Sequence, residues 1–372
     1  MKCVLHIGTE KTGTTLLQHW LYENKKALRE QGVCLFDFYQ NNRRISAYFH
    51  NGLDGWAKEN KIKTLKEKQR FFRGFLQQLE TEFAQASNNA DVFVISSEHL
   101  HSRLRTHEEV FPLYEFLSKN FEATKVVCYF RNQFDVAVSL YSTALKCGDT
   151  ATLEDFIEGA TPENYYYNYK KIADLWSGIF GKDFCDFRIY DPDRFIANDI
   201  RRDFLSCIDR EFNHALLDYT LESKNESLTP LQAAAIRQIN KAIPYWNQDE
   251  LGINPMNQRA KERFRSIPEL GVGKIQSPSR QAIQARFRES NGAFFRTYFA
   301  CENQFDIPDS FTQGKKTFEL EEVETIVSEL LEKTFSFCDD YAVLTPFSRP
   351  YPDLVRKMVS VTRRFKKSLW GN

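Results

Sequence analysis

Lys2-Cys3-Val4-Leu5-His6-Ile7-Gly8-Thr9-Glu10-Lys11-Thr12-Gly13-Thr14-Thr15-Leu16-Leu17 decides the fold: an apolar run, a turn bracketed by two glycines, then the start of a helix. The run reads as a buried strand, and the turn brings a helix N-terminus to its carboxyl end. Unpaired backbone N–H groups and the helix dipole at such a junction attract an oxyanion. A nucleoside-triphosphate loop needs two glycines five apart, then a Lys for the β- and γ-phosphates and a Ser or Thr for magnesium. Here the spacing from Gly8 to Gly13 is kept, but Thr14 stands at the Lys position and the loop's cation is Lys11, ahead of the second glycine. A cradle for a different anion follows. Taken alone, the loop also reads as an ordinary strand-turn-helix junction with Thr14 or Thr15 capping the helix.

Lys125-Val-Val-Cys-Tyr-Phe130, short, apolar and rich in β-branched and aromatic residues, has the composition of a buried parallel strand. Arg131 follows it at once, and Ser139 comes eight residues later in a segment with helical apolar spacing. An Arg at a strand end can grip a phosphate through two parallel charge-assisted bonds, and a Ser on the next helix can add a donor. Pairing of Arg131 with Asp135 and burial of Ser139 is the alternative.

Together these motifs resemble the sulfotransferase superfamily, whose 5'-phosphosulfate loop has the form Lys-x-Gly-Thr-Thr and whose donor is 3'-phosphoadenosine 5'-phosphosulfate (PAPS). Lys11, Gly13, Thr14 and Thr15 match the loop, with Thr12 between, and Arg131, Ser139 and Tyr141 match its 3'-phosphate motif. The Pro that commonly follows that Arg by two positions is replaced by Gln133. The resemblance covers the first half of the chain well and the second half loosely. It implies a PAPS-dependent enzyme that leaves 3'-phosphoadenosine 5'-phosphate, with no metal required.

Sulfuryl transfer, by analogy with phosphoryl transfer, needs in-line positioning, cations on the leaving oxygens and a base for the acceptor proton. Lys11 is the leaving-group candidate. The strand Val92-Phe-Val-Ile95 delivers Ser96-Ser97-Glu98-His99 to the rim beside the loop, and related bacterial enzymes often carry Ser-Ser-Glu there. Glu98 is therefore the expected base. His99 is the alternative and His101 a remote one, because neighbours in an extended segment face opposite ways. Asn225 and Ser227 match an Asn-x-Ser of related bacterial proteins and are expected donor contacts, although a turn with a helix cap explains them nearly as well. Lys274, in Gly271-Val-Gly-Lys274, is a candidate clamp on the 3'-phosphate.

The expected architecture is α/β: a P-loop-like parallel sheet flanked by helices, with a mainly helical C-terminal extension. One sulfotransferase-type domain is expected over 1–348, with an irregular acceptor-side insertion at about 37–62 and helical additions at about 193–345. Long helices are read at Thr14 to Glu30 and Lys63 to Ser87, others near Asp193 to Cys207, Pro230 to Ala242, Ser279 to Ser290 and Leu320 to Cys338. Tyr245 to Ser277 reads as a long loop or lid. Aromatic and polar residues between Phe38 and Trp56, among them Arg43, Arg44, Tyr48 and His50, suit a sugar, as the resemblance suggests. Arg286-Phe-Arg-Glu-Ser-Asn291 with Tyr298 resembles the C-terminal helices of bacterial glycan sulfotransferases. A basic amphipathic tail, 349–372, carries seven Lys or Arg and one Asp. Such a tail can lie on an anionic membrane bearing a lipid-linked glycan, or dock with its basic face in water.

Fifty basic and fifty acidic residues cancel, so no global field recruits nucleic acid. Eight cysteines without a Cys-x-x-Cys pair point to reduced thiols. With no charged leader or long apolar segment read at the start, the expectation is a bacterial cytoplasmic enzyme, peripheral at the inner membrane face if the tail binds. The acceptor is expected to be a saccharide or lipid-linked glycan for surface-polysaccharide synthesis. Two rivals stand beside this reading. One is a P-loop nucleotide kinase, disfavoured by the missing Lys and by the lack of a strand ending in a magnesium-holding Asp. The other is a nucleotide- or glycan-binding protein without turnover.

Overall fold

The computed structural model describes residues 1–36, 41–221, 228–247, 252–265 and 279–305. Five strands, β1 (Lys2–Gly8), β2 (Val33–Leu35), β3 (Val92–Ser96), β4 (Thr124–Phe130) and β5 (Cys185–Ile189), form one sheet in the order β2-β3-β1-β4-β5. All four pairings are parallel. The expected α/β class is what is observed.

Fifteen α-helices are described: α1 (Thr14–Glu23), α2 (Lys25–Glu30), α3 (Arg43–Phe49), α4 (Gly55–Glu59), α5 (Leu65–Phe71), α6 (Phe75–Ala86), α7 (Glu98–Arg103), α8 (His107–Asn120), α9 (Gln133–Lys146), α10 (Leu153–Glu158), α11 (Tyr169–Phe180), α12 (Ile200–Leu205), α13 (Pro230–Ala242), α14 (Pro255–Arg265) and α15 (Ser279–Tyr298). Two compact units emerge among the described residues. The first comprises Met1–Val136, Ala160 to Leu221 and Gln284 to Phe305; the second contains Ala137–Gly159 and the described part of 228–283.

In the first unit the period-two alternation of a strand sorts the core onto two sheet faces. Cys3, Leu5, Ile7, Phe93, Ile95, Val126, Cys128 and Phe130 point to one face, into a cluster with Phe83, Leu113, Trp176 and Phe294. Val4, Val92, Val94, Val127 and Tyr129 point to the other, against Leu17, Trp20, Leu28 and Phe204. A parallel sheet covered on both sides is the arrangement that continuous apolar strands require.

Several expected elements differ. The first helix is two, α1 and α2, parted at Asn24, whose amide donates to the Trp20 and Asp218 carbonyls at 3.0 and 3.1 Å and accepts from the Asp218 N–H at 2.7 Å. The expected helix from Lys63 to Ser87 breaks at Gly74, which takes a left-handed φ of 77°. The stretch expected to be irregular contains α3 and α4, and α4 is started by Asp54, whose carboxylate accepts from the Ala57 N–H at 3.2 Å. Between Asp193 and Cys207 only Ile200–Leu205 is α-helical, and Tyr245 to Ser277, read as loop, contains α14. Helix α15 runs eight residues beyond its expected end at Ser290, to Tyr298.

The second unit holds α10, α13, α14 and the later part of α9. The Thr229 hydroxyl accepts from the Gln232 N–H at 3.3 Å and the Gln232 amide oxygen from the Thr229 N–H at 3.2 Å, a reciprocal cap for α13. Asn240 donates to the Leu145 and Asp149 carbonyls at 2.8 and 2.6 Å and accepts from Asn257 of α14 at 3.1 Å. The helices Leu320 to Cys338 and 349–372, read from the sequence, lie outside the described residues.

Candidate functional site

Strand order fixes where a ligand can enter. After β1 the chain turns to one side for β2 and β3 and to the other for β4 and β5, so a crevice opens outside the carboxyl ends of the central strands. The three sequence motifs end those strands: the loop after β1, Ser96-Ser97-Glu98 after β3 and Arg131 after β4. The Ser97 N–H donates to the His6 carbonyl at 2.8 Å and the Thr9 N–H to the Tyr129 carbonyl at 2.9 Å, carrying the sheet pairing into the loops.

Within the loop, the Thr12 hydroxyl donates to the Thr9 carbonyl at 2.6 Å and the Thr9 hydroxyl to the Tyr129 carbonyl at 3.1 Å. Thr12 is fully buried and closes the turn from inside. Lys11 and Gly13 have left-handed φ values of 69° and 72°. Gly13 is also pressed on its side: a Cβ there would lie 3.2 Å from Ile200 Cδ1 and Tyr190 Cε2. The Leu17 N–H is bonded to the Gly13 carbonyl at 3.1 Å, so the N–H groups of Thr14, Thr15 and Leu16 precede the first intrahelical bond. Gly13 offers them no side-chain cap, and Thr15 is exposed while Thr14 is buried. This is the donor set an oxyanion uses.

Arg131 reaches the same loop. Its Nη1 donates to the Lys11 carbonyl at 3.1 Å, and its guanidinium carbon lies 5.4 Å from the centre of the Tyr190 ring. Asn132 supports the junction by accepting from the Phe134 N–H at 2.9 Å and donating to the Phe305 carbonyl at 2.7 Å. Gln133, at the Pro position of the resembled motif, is buried. It exchanges two amide hydrogen bonds with Asn291 of α15, at 2.7 and 3.1 Å. Ser139 lies half-buried on the part of α9 belonging to the second unit. Tyr141, in the same unit, packs fully buried with its ring 5.6 Å from that of Phe156. Asn225, Ser227 and Lys274 lie outside the described residues.

Glu98 sits against the first glycine: a Cβ on Gly8, whose φ is 109°, would fall 3.0 Å from Glu98 Cα. Its side chain is 13% exposed. Oε2 accepts from Gln18 Nε2 at 2.6 Å, and Oε1 lies 3.5 Å from Asn41 Nδ2. The segment is not extended as expected: Glu98 and His99 open α7, and the His99 ring Nε2 comes within 3.9 Å of Glu98 Oε1. Asn41 Nδ2 also meets His99 Nε2 at 3.1 Å. An amide NH₂ can only donate, so Nε2 accepts and the ring proton is on Nδ1, facing Glu10 Oε1 at 3.9 Å. Burial keeps the His99 imidazole neutral below its ordinary range, against the pull of Glu98 and Glu10.

Behind the loop, Glu10 accepts from the Tyr166 hydroxyl at 3.1 Å and lies 3.8 Å from Arg103 Nη1. Burial raises its proton affinity, but the Ser102 hydroxyl and the Arg103 charge, joined by His99 and His101 when these are protonated, outweigh that and hold the carboxyl below the usual range. His101 is fully buried beside the Tyr166 ring, and desolvation lowers its pKa to about 4. It therefore faces the protein interior. Arg286 donates to the Ala160 carbonyl at 2.8 Å and Tyr298 to Asp174 at 2.6 Å, contacts that tie α15 into the first unit.

A cavity of about 650 Å³ adjoins Glu98, lined among the described residues by Thr15 and Gln18 of α1, Asn41, Arg43, Arg44 and Trp56. The sequence reading missed Gln18, Asn41, Glu10 and Tyr190. Gln18 had a signal, lying three and four residues after Thr15 and Thr14 on one helical face. Tyr190 had another, as the residue just past β5.

No family model matches the sequence. Among curated proteins, the chain is 27% identical over 237 residues to an uncharacterized protein of Archaeoglobus fulgidus, a match covering 62% of this chain and 61% of that one. The chain thus spans about three fifths of the length of that relative. Among solved structures, a sulfotransferase from Alicyclobacillus acidocaldarius aligns at 14% identity with a TM-score of 0.36, over 64% of this chain and 91% of that one. No helix of the described residues is long and apolar enough to cross a membrane.

Proposed function

We propose that the chain is a sulfotransferase that moves a sulfonate from PAPS to a hydroxyl of a saccharide or glycolipid acceptor. One observation supports the reading: the Arg131 guanidinium contacts the Lys11 carbonyl at 3.1 Å, so the residues expected to meet the donor's two phosphates lie together. An adenylate with phosphates on both sides of its ribose is the ligand that such a pair suits. The donor supplies a sulfonate already activated on a phosphate.

The chain's residues would divide the remaining work. The free N–H groups at the start of α1 and the Lys11 ammonium hold the leaving phosphate oxygens, where negative charge grows as the sulfur–oxygen bond breaks. Arg131, with its planar fork, holds the second phosphate. Glu98 accepts the proton of the acceptor hydroxyl as its oxygen bonds to sulfur. The products are a sulfate ester, 3'-phosphoadenosine 5'-phosphate and a proton passed on to water. Gln18 and Asn41 orient Glu98, and the Asn41 amide occupies the Nε2 lone pair of His99, which favours Glu98 over His99 as the base.

Incubation of the protein with PAPS and a saccharide mixture tests the reading. Release of 3'-phosphoadenosine 5'-phosphate with formation of a sulfate ester is the expected result. Magnesium-dependent consumption of ATP in place of PAPS would put the kinase in its stead.

A further inference from the structure

The cavity beside Glu98 carries two guanidinium groups whose donors are not spent. Arg43 pairs through Nη1 with Glu59, at 3.0 and 3.2 Å, but Glu59 is half exposed and water already screens that contact. Arg44 has no carboxylate partner among the described residues. Its guanidinium lies 5.0 Å from the Phe75 ring centre and 5.9 Å from that of Phe71, an aromatic shelf that holds the cation without using its N–H groups. The Nε atoms of Arg43 and Arg44 are both buried and, among the described residues, both lack a hydrogen-bond acceptor. A buried orphan donor is costly and calls for an explanation, and two on consecutive residues lining one cavity call for the same one.

Two carboxylates also line the cavity, Glu59, which pairs with Arg43, and Glu98, which different partners hold. Glu98 is kept by the neutral amides of Gln18 and Asn41 and makes no ion pair with Arg44. One part of the wall thus offers a carboxylate able to take a proton, and another a guanidinium fork without an anion.

We propose that this cavity takes a saccharide bearing an anionic group, a carboxylate or sulfate ester, gripped by Arg44 with help from Arg43, while a hydroxyl of the same molecule meets Glu98. The inference rests on the proposed sulfotransferase reading, in which Glu98 takes the proton of the acceptor hydroxyl. It adds the charge of the acceptor. A volume of about 650 Å³ lies within the range of small-molecule sites. Trp56 and Phe71 in the wall supply apolar faces for a sugar ring.

Calorimetry with cellobiose, cellobiuronate and cellobiose 6'-sulfate, each with and without saturating 3'-phosphoadenosine 5'-phosphate, tests the proposal. One of the charged disaccharides should bind about ten- to a hundredfold more tightly than cellobiose, and which one identifies the anion. Arg44→Met should abolish the preference and Arg44→Lys, which keeps the charge but loses the fork, should retain part of it. An unchanged urea midpoint of each variant verifies that it has folded. Equal affinities, no binding of any disaccharide, or a preference that survives Arg44→Met would overturn the proposal. A charge preference that depends on Arg44 in a protein that ignores the bisphosphate would uphold the anion site and remove the sulfotransferase reading.

Discussion

Arg131 Nη1 donates to the main-chain carbonyl of Lys11 at 3.1 Å, joining the end of β4 to the loop that follows β1. The two segments lie 120 residues apart in the chain. They meet because β1 and β4 are adjacent parallel strands, with Gly8 in register with Cys128. An Arg in this position is expected both to shape the loop and to bind the ligand. Arg131→Ala should weaken 3'-phosphoadenosine 5'-phosphate binding by about ten- to a hundredfold, the worth of one hydrogen bond to a charged group. Titration calorimetry reads it; an unchanged affinity would take Arg131 out of the site.

Glu98→Gln keeps the shape and the contact with Gln18 but removes the proton acceptor. Transfer from PAPS should fall by about a hundred- to ten-thousandfold, while bisphosphate affinity is retained. His99→Gln should cost far less, since the His99 Nε2 lone pair already faces Asn41. Single-turnover kinetics of both variants check the order, and the reverse order would move the base to His99.

Gly8→Ala tests the approach of α7 to the loop. At a φ of 109°, with Glu98 Cα 3.0 Å from the added carbon, the substitution is strained by backbone and neighbour alike. A loss of about 1–3 kcal/mol is expected, together with reduced transfer because Glu98 is displaced. Urea unfolding beside an activity assay reads both.

Acid should destabilise the protein before its carboxylates titrate. His101 folds buried, with a pKa of about 4 against an ordinary 6.5, and His6, on β1, is lowered to about 3 by the same loss of water. Between those values and 6.5 the unfolded chain binds protons that the folded chain refuses, so stability is fully present above about pH 6.5 and falls as pH drops. At about 1.36 kcal/mol per pKa unit, His101 alone accounts for roughly 3 kcal/mol. Denaturant midpoints measured from about pH 7.5 to about pH 5 should fall, and His101→Phe should flatten the slope.

Asn291→Ala should cost about 1–3 kcal/mol by leaving the buried Gln133 amide oxygen without its donor and its Nε2 with only the Tyr167 carbonyl, at 3.3 Å. Unfolding midpoints measure it. The pair shows how a departure from the resembled motif is accommodated: where a Pro would donate nothing, Gln133 ties the start of α9 to α15.

What was legible in the sequence was local. The β1 run, Gly8, Gly13 and the strand ends at Glu98 and Arg131 announced a parallel sheet with motifs at its carboxyl edge, because strand composition and loop chemistry are written in neighbouring residues. What was not legible depends on distant partners. The break at Asn24 is made by Asp218, and the orientation of Glu98 by Gln18 and Asn41. His99 was placed on the wrong geometry because α7 begins at Glu98, where an extended segment was read. Gly74 did signal its helix break, but an isolated glycine in a helical pattern can also be tolerated.

The central claim is that the loop after β1 and Arg131 form one site for an adenylate phosphorylated at both 3' and 5' positions. Titration calorimetry of the protein with 3'-phosphoadenosine 5'-phosphate, ADP and magnesium ATP tests it most directly. Tighter binding of the 3',5'-bisphosphate than of either other nucleotide, lost in Arg131→Ala, is the predicted result. Equal or tighter binding of ADP or ATP would contradict it.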